Sequence, residues 1–143
     1  MTQEQLIAAA REAARNAYAP YSRFAVGAAV LLADGSVVSG ANFENASYGL
    51  SLCAETVAIA TVSASGRLAD VRAIAVVGGT MGAPGDVAVR PCGRCRQILN
   101  EAAQLADCDL PVHCAGLTGG AVVSYHLSEL LPDAFGPRDL GLA

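Results

Sequence analysis

Pro91-Cys92-Gly93-Arg94-Cys95-Arg96-Gln97 places two thiols three residues apart just behind a proline. From Gly93 to Leu105, Ile98, Leu99, Ala102 and Leu105 recur on one stripe while Arg96, Gln97, Asn100, Glu101 and Gln104 fall largely off it, which predicts an amphipathic helix. The pair therefore stands at a helix start, where side chains three apart share a face and can meet one ion. A thioredoxin-like dithiol uses the same spacing, and buried structural cysteines are a third reading, so the pair alone leaves its chemistry open.

Cys53 narrows the choice. It lies 39 positions upstream, at the start of a second predicted helix over Ala54–Ala64, with Glu55 two residues on. Two helix N-termini can then converge on one site, and three protein ligands leave a tetrahedral zinc an open position where a structural site uses four. This second helix is apolar on nearly all faces, through Val57, Ala58, Ile59, Ala60 and Val62. It is expected to be central and covered on several sides before it stops at Gly66.

Val71–Val77, rich in Val, Ile and Ala and closed by Gly78-Gly79, reads as an interior strand, and residues 80–89 read as a loop. The apolar run Ala25–Ala33, the turn Asp34-Gly35 and Val37-Val38 predict a β-hairpin. At the start of the chain, Leu6, Ala10, Ala13, Ala14 and Ala17 predict a helix opened by a capping box between Thr2 and Gln5 and limited by Pro20. Leu110–Ala115 and Ala121–Tyr125 are expected as strands about Thr118-Gly119-Gly120, and Leu127–Leu131 as a short helix ended by Pro132. The expected architecture is α/β, one domain over residues 1–143, with a mixed sheet sandwiched by helices.

Nine Lys plus Arg against thirteen Asp plus Glu leave a net charge of -4, which argues against a nucleic-acid backbone as partner. No apolar run reaches the roughly 18 to 20 residues of a membrane span. Met1-Thr2-Gln3-Glu4-Gln5 lacks the cationic and apolar stretches of a secretory signal, so a soluble, cytoplasmic protein is expected. There the five cysteines stay reduced and are read as ligands before disulfides. Charged residues are only 15%, against about 25% in ordinary soluble domains, so part of the surface is expected to be covered in a homo-oligomer.

With Cys53-Ala54-Glu55 ahead of the Pro91–Gln97 block, the chain resembles the zinc-dependent cytidine deaminase family in its small three-cysteine form. The resemblance extends over nearly the whole chain. It runs through Ala19-Pro20-Tyr21-Ser22-Arg23-Phe24-Ala25-Val26-Gly27-Ala28, then Gly40-Ala41-Asn42-Phe43-Glu44-Asn45-Ala46-Ser47-Tyr48, and Leu130-Leu131-Pro132-Asp133-Ala134-Phe135. It implies a three-layer α/β/α sandwich with a mixed five-stranded sheet. It also implies one zinc ion per subunit, held by Cys53, Cys92 and Cys95 as thiolates, with a water or hydroxide that attacks C4 of a cytosine ring. Such chemistry is established for zinc deaminases.

The resemblance further implies that Glu55 shuttles protons to N3 and to the departing 4-amino group. Spacing alone does not place Glu55, because residues two apart in a helix diverge by about 200°. Asn42 and Glu44 match positions that hold ribose hydroxyls, Phe24 matches an aromatic packing near the base, and Ala54 matches a backbone contact to the base. Tyr48 and Phe135 match positions that reach a neighbouring subunit's site in tetrameric relatives, which implies a homotetramer. The implied activity is hydrolytic deamination of cytidine and 2'-deoxycytidine to uridine and 2'-deoxyuridine with release of ammonia, in pyrimidine salvage.

Many relatives carry Arg directly after the catalytic Glu and a small residue inside the C-x-x-C, where this chain has Thr56 and Arg94. Zinc with three thiolates and hydroxide has a net charge of about -2. Arg94 is expected to offset it by donating to a thiolate, with Arg96 as a second candidate and a solvated first-turn arginine as the plain alternative. The same C-A-E and C-G-R-C pattern also resembles deaminases of nucleoside antibiotics such as blasticidin S, although the Phe24 and Asn42-Phe43-Glu44 blocks favour cytidine. A structural zinc or dithiol module would need neither Glu55 nor a sugar-binding block, and polynucleotide editing is disfavoured by the acidic balance. Cys114 is read as a small core residue, Cys108 has no ligand counterpart, and His113 and His126 are read as structural or solvated.

Overall fold

The strand and helix signals resolve, in a computed structural model that describes residues Met1 to Ala143, into one mixed sheet with helices on both faces. The strands are β1 (Phe24–Leu32), β2 (Val37–Ala41), β3 (Val71–Thr80), β4 (Pro111–Gly116) and β5 (Val123–His126), in the order β2-β1-β3-β4-β5. Every neighbouring pair is antiparallel except β3 and β4. That parallel pair needs a long crossover, and the helix Gly93–Leu105 lies on it. β3 sits in the middle with both faces covered, which accounts for its unbroken Val, Ile and Ala run.

Alternation along the strands sorts the core into two layers. Ala73, Ala75 and Val77 of β3, with Ala29 and Ala115, meet Leu6, Ile7, Ala10 and Ala14 of α1 (Gln3–Ala14). Ile74 and Val76, with Ala28, Val30, Val112 and Cys114, meet Ala58, Ile59 and Val62 of α2 (Ala54–Ala64) and Leu99, Ala102 and Ala103 of α3 (Gly93–Leu105). The result is the expected three-layer α/β/α sandwich, and each fully buried Leu, Ile or Val in it contributes about 1.5–3 kcal/mol.

Two glycines set the helix heights. A Cβ at Gly40 would stand 2.6 Å from the Ala54 carbonyl oxygen and 2.7 Å from the Ala58 amide, so only glycine lets the start of α2 rest on β2. At Gly27 a Cβ would overlap the Ala10 carbonyl oxygen, and α1 rests on β1 from the opposite face in the same way.

The structure departs from expectation in three places. α1 ends at Ala14 and does not continue to Pro20, because Tyr18 leaves the helix to pair with the next loop. Its amide donates to the Asn42 carbonyl and its carbonyl accepts from the Glu44 amide, both at 2.9 Å. α2 is not enclosed, since Ala60, Thr61, Ser63 and Ala64 are exposed on the outer side of a surface layer. Short 3-10 turns at Tyr48–Leu50, Leu68–Asp70 and Pro137–Leu140 carry no periodic signal. The helix α4 (Leu127–Leu130) follows β5, and no helix is long and apolar enough to cross a membrane.

Candidate active site

α2 and α3 pack on the same face of the sheet, and each begins with a cysteine. Cys53 and Cys92 are the N-cap residues, both with extended backbone, and neither side chain closes a capping bond. The partial positive charge of the two helix starts falls near the sulfurs, and the Cys95 amide acts directly on the Cys92 thiol. Cys95, in the first turn of α3 and buried, completes the group. All three Sγ atoms lie within 4.8 Å of one another, and Cys53 and Cys92 are 3.8 Å apart. Tetrahedral zinc with Zn–S bonds of about 2.3 Å separates its sulfurs by about 3.8 Å, so the soft donor set fits zinc. No histidine or carboxylate joins the trio, which leaves one position for a small ligand.

Burial pushes the Cys95 thiol far up, with the charge of Glu55 adding to the rise and the Thr56 hydroxyl opposing it. Burial likewise raises Cys53. At Cys92 the effect of burial is outweighed by the Cys95 amide and by hydrogen bonds with Cys53 and Cys95, so this thiol sits below its usual value. A divalent cation is what lets such a trio exist as three thiolates.

Glu55 is only 3% exposed and is the one charged side chain in the buried set. It forms no ion pair. Burial raises its carboxyl, while its own amide and the Cys95 thiol pull in the opposite direction without cancelling the rise. A buried, unpaired carboxylate costs stability, and such groups concentrate where chemistry needs them.

Cys53, Cys92 and Glu55 open onto a cleft of about 340 Å³ that Phe24, Asn42 and Glu44 also line. The Asn42 amide is fixed on β1, its Oδ1 accepting from the Val26 amide and its Nδ2 donating to the Phe24 carbonyl, each at 2.9 Å. Glu44 Oε1 accepts from the Tyr21 and Ser22 amides at 3.0 and 3.1 Å, and Oε2 accepts from the Ser22 hydroxyl. That hydroxyl, ahead of the two amides, holds the Glu44 carboxyl below the usual carboxylate range. Ala54, between the cleft-lining Cys53 and Glu55 in sequence, is fully buried. A larger depression of about 420 Å³ beside α4 contains neither the thiol trio nor a buried charge.

Other expected residues lie outside the cleft. Tyr48 borders an adjoining hollow with Tyr21, Ser22, Glu44 and Ser51, its ring 5.6 Å from that of Tyr21. Phe135 is exposed, and its carbonyl accepts from Gln97 Nε2 at 2.8 Å and Asn100 Nδ2 at 3.1 Å. Arg94 lies in the first turn of α3. Its side chain is exposed and makes no hydrogen bond or ion pair within the chain. The Arg96 guanidinium donates to the Pro91 and Leu130 carbonyls at 2.8 and 3.0 Å.

Thr56 does reach a ligand sulfur, its Oγ1 lying 3.3 Å from Cys95 Sγ. Ser22 and Arg90 also line the cleft without having been singled out. Ser22 was visible inside the Ala19–Ala28 block. Arg90 had no local signal, since its Nε donates to the Tyr125 hydroxyl, 35 residues away, at 2.7 Å, with the guanidinium 5.5 Å from the ring centre. The remaining cysteines and histidines stand apart. Cys114 is buried in β4, and the His113 ring bonds Ser124 Oγ at 2.7 Å between β4 and β5.

Residues 1–108 match the family model of the cytidine and deoxycytidylate deaminase zinc-binding region. The chain is 47% identical over 140 residues to the cytidine deaminase of Halalkalibacterium halodurans, covering 98% of each chain. It is 47% identical over 133 residues to the cytidine deaminase of Mycobacterium tuberculosis, covering 92% of this chain and 87% of that one. Among solved structures, cytidine deaminase from Burkholderia pseudomallei matches with a TM-score of 0.81 at 46% identity, covering 94% of this chain and 100% of that chain. Cytidine deaminase from Mycobacterium tuberculosis matches with a TM-score of 0.74 at 40% identity, covering 95% and 98%.

Proposed function

This chain belongs to the cytidine and deoxycytidylate deaminase family, and from that premise we propose that it hydrolytically deaminates cytidine and 2'-deoxycytidine to uridine and 2'-deoxyuridine with release of ammonia. The observation that carries this reading is the sulfur trio at two helix starts, beside a buried and unpaired Glu55. Cys53, Cys92 and Cys95 would hold zinc. When bound, zinc supplies Lewis acidity that brings the pKa of a water down to about 7.

Glu55 takes a proton from the attacking water and delivers it to N3 of the base. It then carries the second proton to the 4-amino nitrogen, which leaves as ammonia as the C4 carbonyl forms. Its burial keeps bulk water out of these transfers. Asn42 and Glu44 meet the ribose hydroxyls, each already oriented by bonds to backbone amides or carbonyls. Phe24 packs against the base, and Ala54 offers it a backbone contact. A site built to hydrogen-bond a sugar hydroxyl penalises free cytosine, whose binding leaves those polar groups unpaired.

Residues 1–143 act as one deaminase domain in this reading, working in the cytoplasm in pyrimidine salvage. The exposed Tyr48 and Phe135 support a homotetramer in which they approach a neighbour's cleft, and the exposed outer side of α2 supports coverage by another copy. The test follows ammonia release and ultraviolet absorbance with cytidine, alongside a chelator-treated sample and Glu55→Ala. The variant is expected to keep one zinc per chain and to turn over about 10²–10⁴-fold more slowly. Normal turnover by Glu55→Ala, or no turnover of cytidine by the zinc-loaded native protein, would overturn the proposal.

A further inference from the structure

Two threonines on α2 use their hydroxyls differently. Thr61 Oγ1 donates to the Val57 carbonyl, one turn back, at 2.8 Å, which is the ordinary outlet for a helical threonine. Thr56 stands in the first turn, where the carbonyl four residues back is that of Leu52, which already accepts from the Phe43 amide at 2.9 Å. Its Oγ1 lies instead 3.3 Å from Cys95 Sγ, across the contact between α2 and α3. Cys95 is the fully buried member of the trio.

A thiol and a hydroxyl can each donate to the other, but a metal-bound thiolate carries no proton, so in the loaded site only Thr56 can be the donor. We propose that Thr56 is a positioning residue that fixes the Cys95 thiolate on the metal through an O–H···S hydrogen bond. It offsets part of the sulfur's charge at a point that neither Arg94 nor Arg96 reaches. The inference rests on Cys53, Cys92 and Cys95 as the zinc ligands.

The test measures zinc release from the loaded protein to excess 4-(2-pyridylazo)resorcinol for the native chain, Thr56→Val and Thr56→Ser. The sulfur-to-metal charge-transfer band of the cobalt-substituted proteins is recorded in parallel. Thr56→Val is expected to release zinc about tenfold faster and to move the band to lower energy, while Thr56→Ser restores both. Native release and an unmoved band in Thr56→Val would overturn the proposal. So would a Thr56→Ser protein as labile as Thr56→Val, since packing of the methyl group would then be the whole role. If Thr56→Val does not fold, Thr56→Ala serves in the same comparison. Cys95→Ala separates the two levels: if it holds one zinc as firmly as the native chain, the ligand set itself fails, whereas an inert Thr56 leaves that set standing.

Discussion

The first turn of α1 and the first turns of α2 and α3 begin in opposite ways. At α1 the Thr2 hydroxyl accepts from the Gln5 amide at 3.2 Å and the Gln5 side chain accepts from the Thr2 amide at 2.8 Å, a closed capping box. At α2 and α3 the cap positions hold Cys53 and Cys92, and no side chain closes the turn. An N-cap bond stabilises a helix by about 1 kcal/mol, so the chain forgoes such a bond at two places while making it at a third. The closed start serves the fold, and the other two starts give their cap positions to metal-binding sulfurs. A local rule obeyed in one part of a molecule and set aside in another marks the part under functional demand.

The sharpest way to break this contrast is to remove the metal. Chelation is expected to abolish deamination and to lower the melting temperature by at least about 5 °C, because the ion binds only the folded arrangement. Hydrogen exchange should quicken in the first turns of α2 and α3 and stay unchanged in α1; equal change in all three would erase the distinction. A smaller effect comes from the closed start. Thr2→Ala should cost about 1 kcal/mol in denaturant unfolding while turnover per folded, zinc-loaded chain stays at the native value.

The smallest effect concerns the hairpin turn, where polar partners are also wholly internal. Hydrogen bonds from the Ser36 hydroxyl and amide, with Arg67 adding its charge, hold Asp34 at a pKa of about 2. A carboxyl depressed in the folded state stabilises fully above its unfolded value of about 3.9 and ceases to do so as pH falls through about 2. Asp34→Asn should therefore lower the unfolding midpoint slightly at pH 5, with the gap to the native chain closing between pH 4 and pH 2. A gap that does not change with pH would show that the charge is not the cause.

Much of this was legible in the sequence because it is periodic or local. The helices over Ala54–Ala64 and Gly93–Leu105, the hairpin about Asp34-Gly35 and the Thr2–Gln5 capping box all stand where expected. The three cysteines were legible as a set, and they meet. What was not legible depends on pairing across distance. The parallel register of β3 with β4 leaves no mark within either strand. The early end of α1 depends on Tyr18 finding Asn42 and Glu44. A residue's place within a C-x-x-C does not say which side of the turn it faces, so the exposure of Arg94 is not written in the motif, and the sequence marks Thr56 by the arginine it lacks and not by its sulfur contact.

Gly40 has a mechanical consequence. The start of α2 rests directly on β2, so the hydrogen-bond ladder of an edge strand serves as the datum from which Cys53 is measured. A slip of that strand by one residue would shift the seat by about 3.3 Å and turn a different side chain toward the helix. Metal–ligand distances tolerate only about 0.2 Å. The tight hairpin at Asp34-Gly35 is thus a ruler for the metal centre as well as a bend in the chain.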